Sequence, residues 1–247
     1  MFQYSAPEQL LQNKVILVTG AGDGIGRAAA ISYAELGATV ILLGKTVEKL
    51  EAVYDQIEAL GAPKAAILPI NLETATEQTY IELTNIIDTE FGRLDGLLHN
   101  ASLLGMRTPI ENYDPITWEQ VMKVNATAPF YLTQNLLPLL HLSKNASIVF
   151  TSSSVGKKGK AYWGAYSVSK FATQGMMEIL ADELENTSNI RSNCINPGAT
   201  RTAMRAAAYP GEKPERNPTP EEIMPIYAYL MGDDSLKENG LTFNAQD

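Results

Sequence analysis

Three consecutive serines in the middle of the chain are the first candidates for chemistry. The apolar run Ala146–Phe150 has the composition of a buried strand, and the segment TSSSVG, residues 151–156, follows it directly. Hydroxyl groups at the end of a strand can form an ordinary turn. They can also hold a substrate. Side chains elsewhere in the chain must decide between these two interpretations.

A tyrosine followed four residues later by a lysine occurs twice in the chain. Tyrosine can serve as a proton donor when a nearby cation lowers its pKa, and helical spacing brings the lysine to the same face. The pair Tyr209–Lys213 encloses a Pro-Gly step that breaks a helix. Tyr166 and Lys170 lie in a helical pattern directly after TSSSVG. We expect this second pair to be functional, the alternative being a surface aromatic beside a solvated lysine.

A glycine-rich segment, Thr19–Gly26 or TGAGDGIG, joins the first predicted strand to the first predicted helix. Glycines permit a tight turn and close approach of a pyrophosphate, whose charge a helix N-terminus favours. The spacing Gly-x3-Gly-x-Gly differs from the common G-x-G-x-x-G, and a turn without a ligand is the alternative. The context favours nucleotide binding. The residues predicted to take part are Gly20, Asp23, Gly24, Ile25 and Gly26.

The end of the second predicted strand bears on the choice of nucleotide. A carboxylate there would accept the ribose hydroxyls of NAD, whereas a basic residue suits the 2′-phosphate of NADP. The sequence reads Leu42-Leu43-Gly44-Lys45, with no carboxylate and with a lysine in place. This arrangement favours NADP(H), with NAD(H) left open. A lysine that only faces solvent is the alternative interpretation of Lys45.

Short apolar runs alternate with longer segments of helical periodicity along the whole chain. The predicted strands are Val15–Thr19, Thr39–Leu43, Ala65–Ile70, Asp95–His99, Ser147–Ser152, Arg191–Ile195 and Leu241–Phe243. The predicted helices are 24–37, 46–60, 74–91, 115–141, 162–186 and 221–231. Continuous apolar strands separated by helices imply a parallel sheet covered on both faces. We therefore expect one α/β domain over residues 1–247, a doubly wound Rossmann fold of about seven strands.

Ligands bind such sheets beyond the carboxyl ends of the strands, which is where TSSSVG falls. The turns His99–Ser102 and Asn196–Gly198 reach the same edge. Residues 197–220 form a long stretch with five prolines and no regular pattern, and loops of this length are usually functional or disordered. We expect this stretch to be a substrate loop. Its Arg201 and Arg205 can meet an anionic substrate or simply water.

Taken together, these segments resemble the short-chain dehydrogenase/reductase family. Thr19–Gly26 is similar to that family's TGxxxGxG, Asn100-Ala101 to its NAG-type turn, and Tyr166/Lys170 to its YxxxK. Asn125 matches the family's helix asparagine, and Pro197-Gly198 with Thr202 matches its PGxxxT. The stretches FTSSSVG, WGAY, NCINPG and TRTAMRA resemble more narrowly the YciK branch of bacterial oxidoreductases.

The resemblance implies a catalytic tetrad of Asn125, Ser153, Tyr166 and Lys170. The family's catalytic serine lies thirteen residues before the tyrosine, which selects Ser153. Alternation along an extended strand places Ser152 and Ser154 on the opposite face from Ser153. The implied activity is hydride transfer between a nicotinamide and a carbonyl or alcohol carbon, most simply as a carbonyl reductase. A protein that binds NADP without catalysis is the alternative.

The resemblance also implies the residues that hold the cofactor. Besides the glycine turn and Lys45, they are Asn71, Leu72, Asn100, Ala101, Tyr166, Lys170, Pro197, Gly198 and Thr202. The chain departs from the family pattern at three positions. His99 and Ser102 replace an asparagine and a glycine beside the NAG-type turn, and Asn71 stands where an aspartate commonly meets the adenine.

Composition excludes several other classes of function. The net charge of −9 argues against nucleic acid, whose phosphates need a basic face. One cysteine and two separated histidines predict no disulfide and no metal site. No apolar run reaches the roughly 18 residues of a membrane span, and no secretion signal is evident, so a cytoplasmic location is expected. The expected partners are a small-molecule substrate and further copies of the chain, as a homodimer or homotetramer.

Overall fold

Seven parallel strands form the centre of the molecule in the computed structural model, which describes residues 1–246. The strands are β1 (Val15–Thr19), β2 (Thr39–Gly44), β3 (Ala66–Pro69), β4 (Gly96–His99), β5 (Ala146–Thr151), β6 (Ile190–Asn196) and β7 (Thr242–Asn244). Their order across the sheet is β3-β2-β1-β4-β5-β6-β7, and every neighbouring pair is parallel. The predicted doubly wound sheet is confirmed.

Eight α-helices accompany the strands in the described part of the chain. They are α1 (Gly24–Glu35), α2 (Val47–Ala59), α3 (Glu77–Phe91), α4 (Pro115–Met122), α5 (Ala128–Leu140), α6 (Gly164–Glu185), α7 (Ala203–Ala208) and α8 (Met224–Met231). The helices cover both faces of the sheet. Ile16 and Val18 of β1 pack into one apolar cluster with α1 and α8, whereas Val15 and Leu17 pack into another with α3, α5 and α6. Strand alternation thus gives both faces an apolar core.

The helix predicted over 115–141 differs in detail from the structure. Its path is interrupted by one wide turn, Lys123–Thr127, in which the N–H of Ala128 bonds to the carbonyl of Lys123. Such π-type turns are rare and often occur at functional sites. This one carries Asn125, which it buries against the neighbouring loop.

The stretch 197–220, predicted to be irregular, contains helix α7. Thr202 caps this helix, because its hydroxyl accepts a bond of 3.1 Å from the N–H of Arg205. The sequence that follows, AMRAAA, has strong helix formers, and the five prolines flank the helix instead of interrupting it. We call residues 197–220 the arm.

Within residues 1–246, no helix is both long and apolar enough to cross a bilayer. The same residues contain no group of three or more His, Cys, Asp or Glu side chains arranged to hold a metal ion.

Candidate functional site

A cavity of about 460 Å³ lies along the carboxyl edge of the sheet. Its wall is formed by the glycine turn after β1, the ends of β2 and β5, the turn after β4, the start of α6 and the arm. The order β1-β4-β5-β6 brings these segments together, since four neighbouring parallel strands end at the same edge. The sequence therefore places its candidate residues around one shared space.

The glycine turn has a shape that only glycine permits. Gly20 and Gly24 have φ angles of +69° and +50°, in the left-handed region. A Cβ on Gly26 would lie 2.2 Å from the carbonyl oxygen of Gly20, so no side chain fits there. Asp23 caps α1, its carboxylate accepting a bond of 2.7 Å from the N–H of Gly24. The helix N-terminus thus opens into the cavity with an exposed backbone, as a phosphate group requires.

Most of the predicted cofactor residues line this cavity. They are Gly20, Asp23, Gly24, Ile25, Lys45, Asn71, Leu72, Asn100, Ala101, Tyr166, Lys170, Pro197, Gly198 and Thr202. Gly26 is the exception, because it is buried beneath the turn, where it allows α1 to approach β1. The resemblance pointed to a binding role, and the structure assigns Gly26 a packing role.

Two lysines stand at the end of the cavity beside β2. Lys45 is exposed at the strand end, as predicted, and Lys49 follows on the first turn of α2. Lys49 forms an ion pair with Asp23, and this hydrogen bond lowers the pKa of the carboxyl. Sequence reasoning missed Lys49. Its helical position was readable, but the orientation of that helix toward the glycine turn was not.

The turn after β4 is fixed to β1 mainly through the hydroxyl of Thr19. Thr19 Oγ1 accepts bonds from the N–H groups of Asn100 at 2.9 Å and Ala101 at 3.1 Å. His99, which stands where the family pattern has an asparagine, points into the core. Its ring stacks on Phe150 with a centroid distance of 4.6 Å, and its Nε2 lies 2.9 Å from Thr133 Oγ1. Burial lowers the pKa of His99 to about 3. It is therefore a neutral core histidine.

The three serines of TSSSVG have three different environments. Ser153 lines the cavity and its hydroxyl hydrogen-bonds the Tyr166 phenol. Ser154 is exposed and begins a short 3-10 turn. Ser152 differs from the expectation, because it also lines the cavity instead of facing away with Ser154. The physical reason is that β5 ends at Thr151, so strand alternation no longer holds over these residues.

Tyr166 and Lys170 stand one turn apart on α6, both buried. Lys170 Nζ lies 5.4 Å from the Tyr166 ring centroid and donates a bond of 2.8 Å to the carbonyl of Thr151. Burial raises the pKa of Tyr166 to about 12, with the Ser153 hydroxyl acting in the opposite direction. The expected lowering of this pKa by the lysine is therefore not found in the structure, since burial dominates.

Lys170 itself is strongly affected by its surroundings. Burial lowers its pKa to about 8. Gly156, the last residue of TSSSVG, allows this position to form, because a Cβ there would lie 2.9 Å from Lys170 Cβ. The Ser167 hydroxyl also donates a bond of 2.6 Å to the carbonyl of Val155. The serine segment and α6 are thus packed directly on each other.

Asn125 lies just behind the cavity and joins two of its walls. Its Oδ1 accepts a bond of 2.7 Å from the N–H of Leu103, and its Nδ2 donates to the Leu103 carbonyl at 2.9 Å. The same Nδ2 donates to Ser169 Oγ at 3.0 Å. The side chain therefore ties the loop after β4 to α6, one residue from Lys170.

The second tyrosine–lysine pair has no helical relation. Tyr209 ends α7, and Lys213 lies beyond the Pro-Gly step. The arm's two candidate arginines are both committed to the arm itself. Arg201 donates to the carbonyls of Pro214 and Asn217, each at 3.1 Å, and Arg205 forms a two-point ion pair with Glu212.

Comparison with known proteins gives this arrangement its family. The family model described as short chain dehydrogenase matches residues 14–213. The chain belongs to the short chain dehydrogenase family. Sequence reasoning from the glycine turn, the Ser153–Tyr166 distance and the tyrosine–lysine pair reached the same family.

Three relatives within the short chain dehydrogenase family are close to the chain over its whole length. The oxidoreductase YciK of Escherichia coli is 52% identical over 98% of this chain and 96% of its own. A short chain dehydrogenase structure from Pseudomonas syringae is 60% identical, with a TM-score of 0.98 and full coverage of both chains. A Shigella flexneri short chain dehydrogenase, solved in complex with NADP, is 52% identical, with a TM-score of 0.95, covering 98% of this chain and 100% of that one. The resemblance to the YciK branch is confirmed.

Proposed function

We propose that the protein is an NADP(H)-dependent carbonyl reductase in which Asn125, Ser153, Tyr166 and Lys170 carry the proton chemistry. The observation that carries the proposal is the meeting of the Ser153 hydroxyl, the Tyr166 phenol and the glycine turn at one cavity. A protein that only sensed the nucleotide would not need the hydroxyl and phenol in contact. The single domain would hold the cofactor along β1–β4 and the substrate beneath the arm.

The charges at the β2 end of the cavity favour NADP(H) over NAD(H). Lys45 and Lys49 are both exposed there, and a 2′-phosphate pairs well with ammonium groups. Asp23 competes for Lys49, since the two already form an ion pair. The complex of the Shigella flexneri relative with NADP supports the same choice.

The residues would divide the work of carbonyl reduction between them. A bound NADPH would supply the hydride that the carbonyl carbon receives. Tyr166 then donates its phenolic proton to the developing alkoxide, which forms the alcohol O–H. Ser153 hydrogen-bonds the same oxygen and holds it in position. In the reverse direction the same groups accept the proton.

Two further residues would prepare the tyrosine for this step. Lys170 would bind the nicotinamide ribose, and its positive charge would lower the pKa of Tyr166 from the value of about 12 that burial imposes. Asn125 would hold a water that resupplies protons through Lys170. Its rigid attachment to Leu103 and Ser169 keeps this part of the site in place.

The test compares turnover with binding in wild type and in Tyr166→Phe. We expect wild type to oxidise NADPH in the presence of compounds from a carbonyl panel. The loss of the NADPH absorbance band measures this reaction. Tyr166→Phe should lower kcat by about a thousandfold or more, because the proton donor is gone. NADPH titration should give the same Kd for both. Retained turnover in Tyr166→Phe would refute the assignment, and absence of turnover in wild type would favour the nucleotide-sensing alternative.

Assembly and location remain predictions. Phe130 of α5 and Phe171 and Ile179 of α6 are exposed by 48%, 44% and 58%, so apolar surface is available for a homodimer or homotetramer. The expected cytoplasmic location rests on the sequence alone.

A further inference from the structure

The substrate end of the cavity is apolar and aromatic. The apolar residues of the wall that pack in one cluster with Tyr166 are Leu104, Trp163, Met204 and Ala208. The Trp163 ring lies 5.6 Å from the Tyr166 ring between centroids, and it is 7% exposed. A flat apolar group placed here would meet ring faces and methyl or methylene groups.

The charged side chains of the described wall at this end already have partners, since Lys170 Nζ donates a bond of 2.8 Å to the carbonyl of Thr151 and Arg205 is ion-paired. The acidic side chains that line the cavity, Asp23 and Glu73, belong to the glycine turn and to the loop after β3. Arg205 is the arm's cation in the cavity wall, and both of its donating nitrogens lie 2.6 Å from the carboxylate oxygens of Glu212. Glu212 also accepts a bond of 2.8 Å from Asn217. An anionic substrate would therefore have to break the Arg205–Glu212 ion pair, or compete for Lys170 with the Thr151 carbonyl and with the nicotinamide ribose that the proposed function assigns to it.

Arg107 closes this end from outside the cavity wall. It stands on the loop after β4 and donates a hydrogen bond to the carbonyl of Ala208, at the end of α7. Its guanidinium lies 4.7 Å from the Trp163 ring centroid and 4.8 Å from that of Tyr209. Arg205 also lies over Tyr209, with its guanidinium 3.9 Å from the ring centroid. Arg107 thus joins the β4 loop to the arm through stacked planar groups.

We propose that the Arg107–Trp163–Tyr209 stack makes this a site for uncharged carbonyl compounds with a flat apolar body, such as aryl ketones. Trp163 forms the selecting wall, and Arg107 is a positioning residue that holds this wall and the arm together. The Arg107 guanidinium already contacts two rings and the carbonyl of Ala208, so it is not available to bind the ligand. This inference rests on the proposed function and names the substrate class of the same site.

The test uses two ligands that match in size and differ in charge, 4-acetylbenzamide and 4-acetylbenzoate. Dissociation constants are measured calorimetrically on Tyr166→Phe saturated with NADPH, and kcat/KM is measured on wild type. The amide should bind about tenfold more tightly or better, because the carboxylate would be buried without a free partner. Equal binding, tighter binding of the carboxylate, or no binding of the amide at millimolar concentration would overturn the inference.

Arg107 is tested by three variants with the same assays. Arg107→Ala should raise KM for the amide about fivefold to tenfold while kcat changes little, since a stacked cation is lost. Arg107→Lys should not restore KM, because an ammonium lacks the planar face. Arg216→Ala removes the same charge from an exposed position of the arm and should leave KM unchanged. If the carboxylate binds more tightly than the amide and Arg107→Ala abolishes this preference, Arg107 is instead an anion ligand.

Failure of this inference and failure of the proposed function give different results. If no carbonyl compound of the panel supports NADPH oxidation by wild type, the proposed function is wrong. The difference in binding between the amide and the carboxylate then still decides the substrate class. If turnover occurs but Arg107→Ala behaves like Arg216→Ala, the stack has no selecting role. An unchanged NADPH Kd in each variant shows that the fold is intact.

Discussion

The glycine turn and the arm border the same cavity but are held in shape by different means. The turn, Thr19–Gly26, is fixed by backbone geometry, with left-handed glycines and a contact that excludes any Cβ. The arm, residues 197–220, is fixed by side chains, with an ion pair between Arg205 and Glu212 and guanidinium groups over the ring of Tyr209. At Gly20 and Gly26 the backbone of the turn leaves no room for a side chain. The arm depends on interactions that are individually weak at a surface.

This difference matches the parts that the two regions would play. Every member of a nucleotide-binding family meets the same pyrophosphate, so a rigid backbone cradle serves all of them. Substrates differ between members, and an arm that is braced by replaceable side chains can change without altering the sheet. Substitutions in the turn should therefore have the largest effects on binding and folding, and substitutions in the arm should have the smallest.

Substitution of Gly26 should have the largest effect. A Cβ there would lie 2.2 Å from the Gly20 carbonyl oxygen and 2.5 Å from Asn100 Nδ2, so Gly26→Ala must push α1 away from β1. We expect NADPH affinity to fall by about a hundredfold or more, or the folded state to be lost, consistent with the cost of core overpacking. Fluorescence titration and circular dichroism measure the two outcomes.

The matched control is Gly175→Ala in α6. A Cβ at this position meets nothing within 4 Å, and alanine has the higher helix propensity. We expect the free energy of unfolding to rise by about 0.5–1 kcal/mol with unchanged NADPH binding. If Gly26→Ala behaved like Gly175→Ala, the turn would not be the rigid region that the comparison requires.

Lys170 lies between the two regions, and its titration should separate them. Its pKa is lowered from 10.5 to about 8 by burial, so its charge is present below pH 8 and is lost as the pH rises through that value. If the cation assists Tyr166, kcat/KM for reduction should fall about tenfold per pH unit above pH 8. A pH profile of NADPH oxidation, with NADPH affinity measured in parallel, checks this.

The same titration has a consequence for stability. The unfolded chain binds this proton up to the normal lysine pKa, so the unfolding free energy attributable to Lys170 increases between pH 8 and 10.5. Lys170→Met should therefore be more stable than wild type at pH 7, by about 1–3 kcal/mol, while losing activity. The difference should shrink toward pH 10.5. A variant that is less stable at pH 7 would mean that burial of the charge costs little.

The turn could be predicted from the sequence and the arm's contacts could not. Glycine spacing, the interval from Ser153 to Tyr166 and the helical step to Lys170 are local patterns that carry their own geometry. Arg107 reaches the site across 101 residues to the carbonyl of Ala208, and no local pattern marks it. Trp163 is intermediate, because it stands three residues before Tyr166 on the same helical path and could have been included.

Burial explains the one chemical expectation that the structure reverses. The helical step predicted a lysine near Tyr166, which is correct, and from it a lowered tyrosine pKa. The sequence does not show how completely α6 and TSSSVG would enclose the phenol. That enclosure raises the pKa of Tyr166, and it also lowers the pKa of the lysine that was expected to act on it.

Glu212→Gln should have the smallest effect of these substitutions. It removes the charge that pairs with Arg205 and keeps the shape, and the paired side chains are 26% and 28% exposed. A pair this accessible is worth little in water, so KM for the carbonyl substrate should rise about twofold to fivefold. NADPH affinity should not change, because the Arg205–Glu212 ion pair lies away from the glycine turn. Steady-state kinetics at fixed saturating NADPH measure the effect.

The pH dependence of the Arg205–Glu212 ion pair tests whether this pair holds the arm in shape. The Arg205 and Asn217 hydrogen bonds lower the pKa of Glu212 to about 2, so the pair is complete above the usual carboxyl range and is lost as the pH falls through 2. Between pH 5 and 8 the ratio of KM in Glu212→Gln to KM in wild type should therefore stay constant. Glu215→Gln, an exposed neighbour in the arm, should give a ratio near one. A Glu212 ratio that also equalled one would mean that the ion pair does not shape the substrate end, and that stacking at Tyr209 holds the arm by itself.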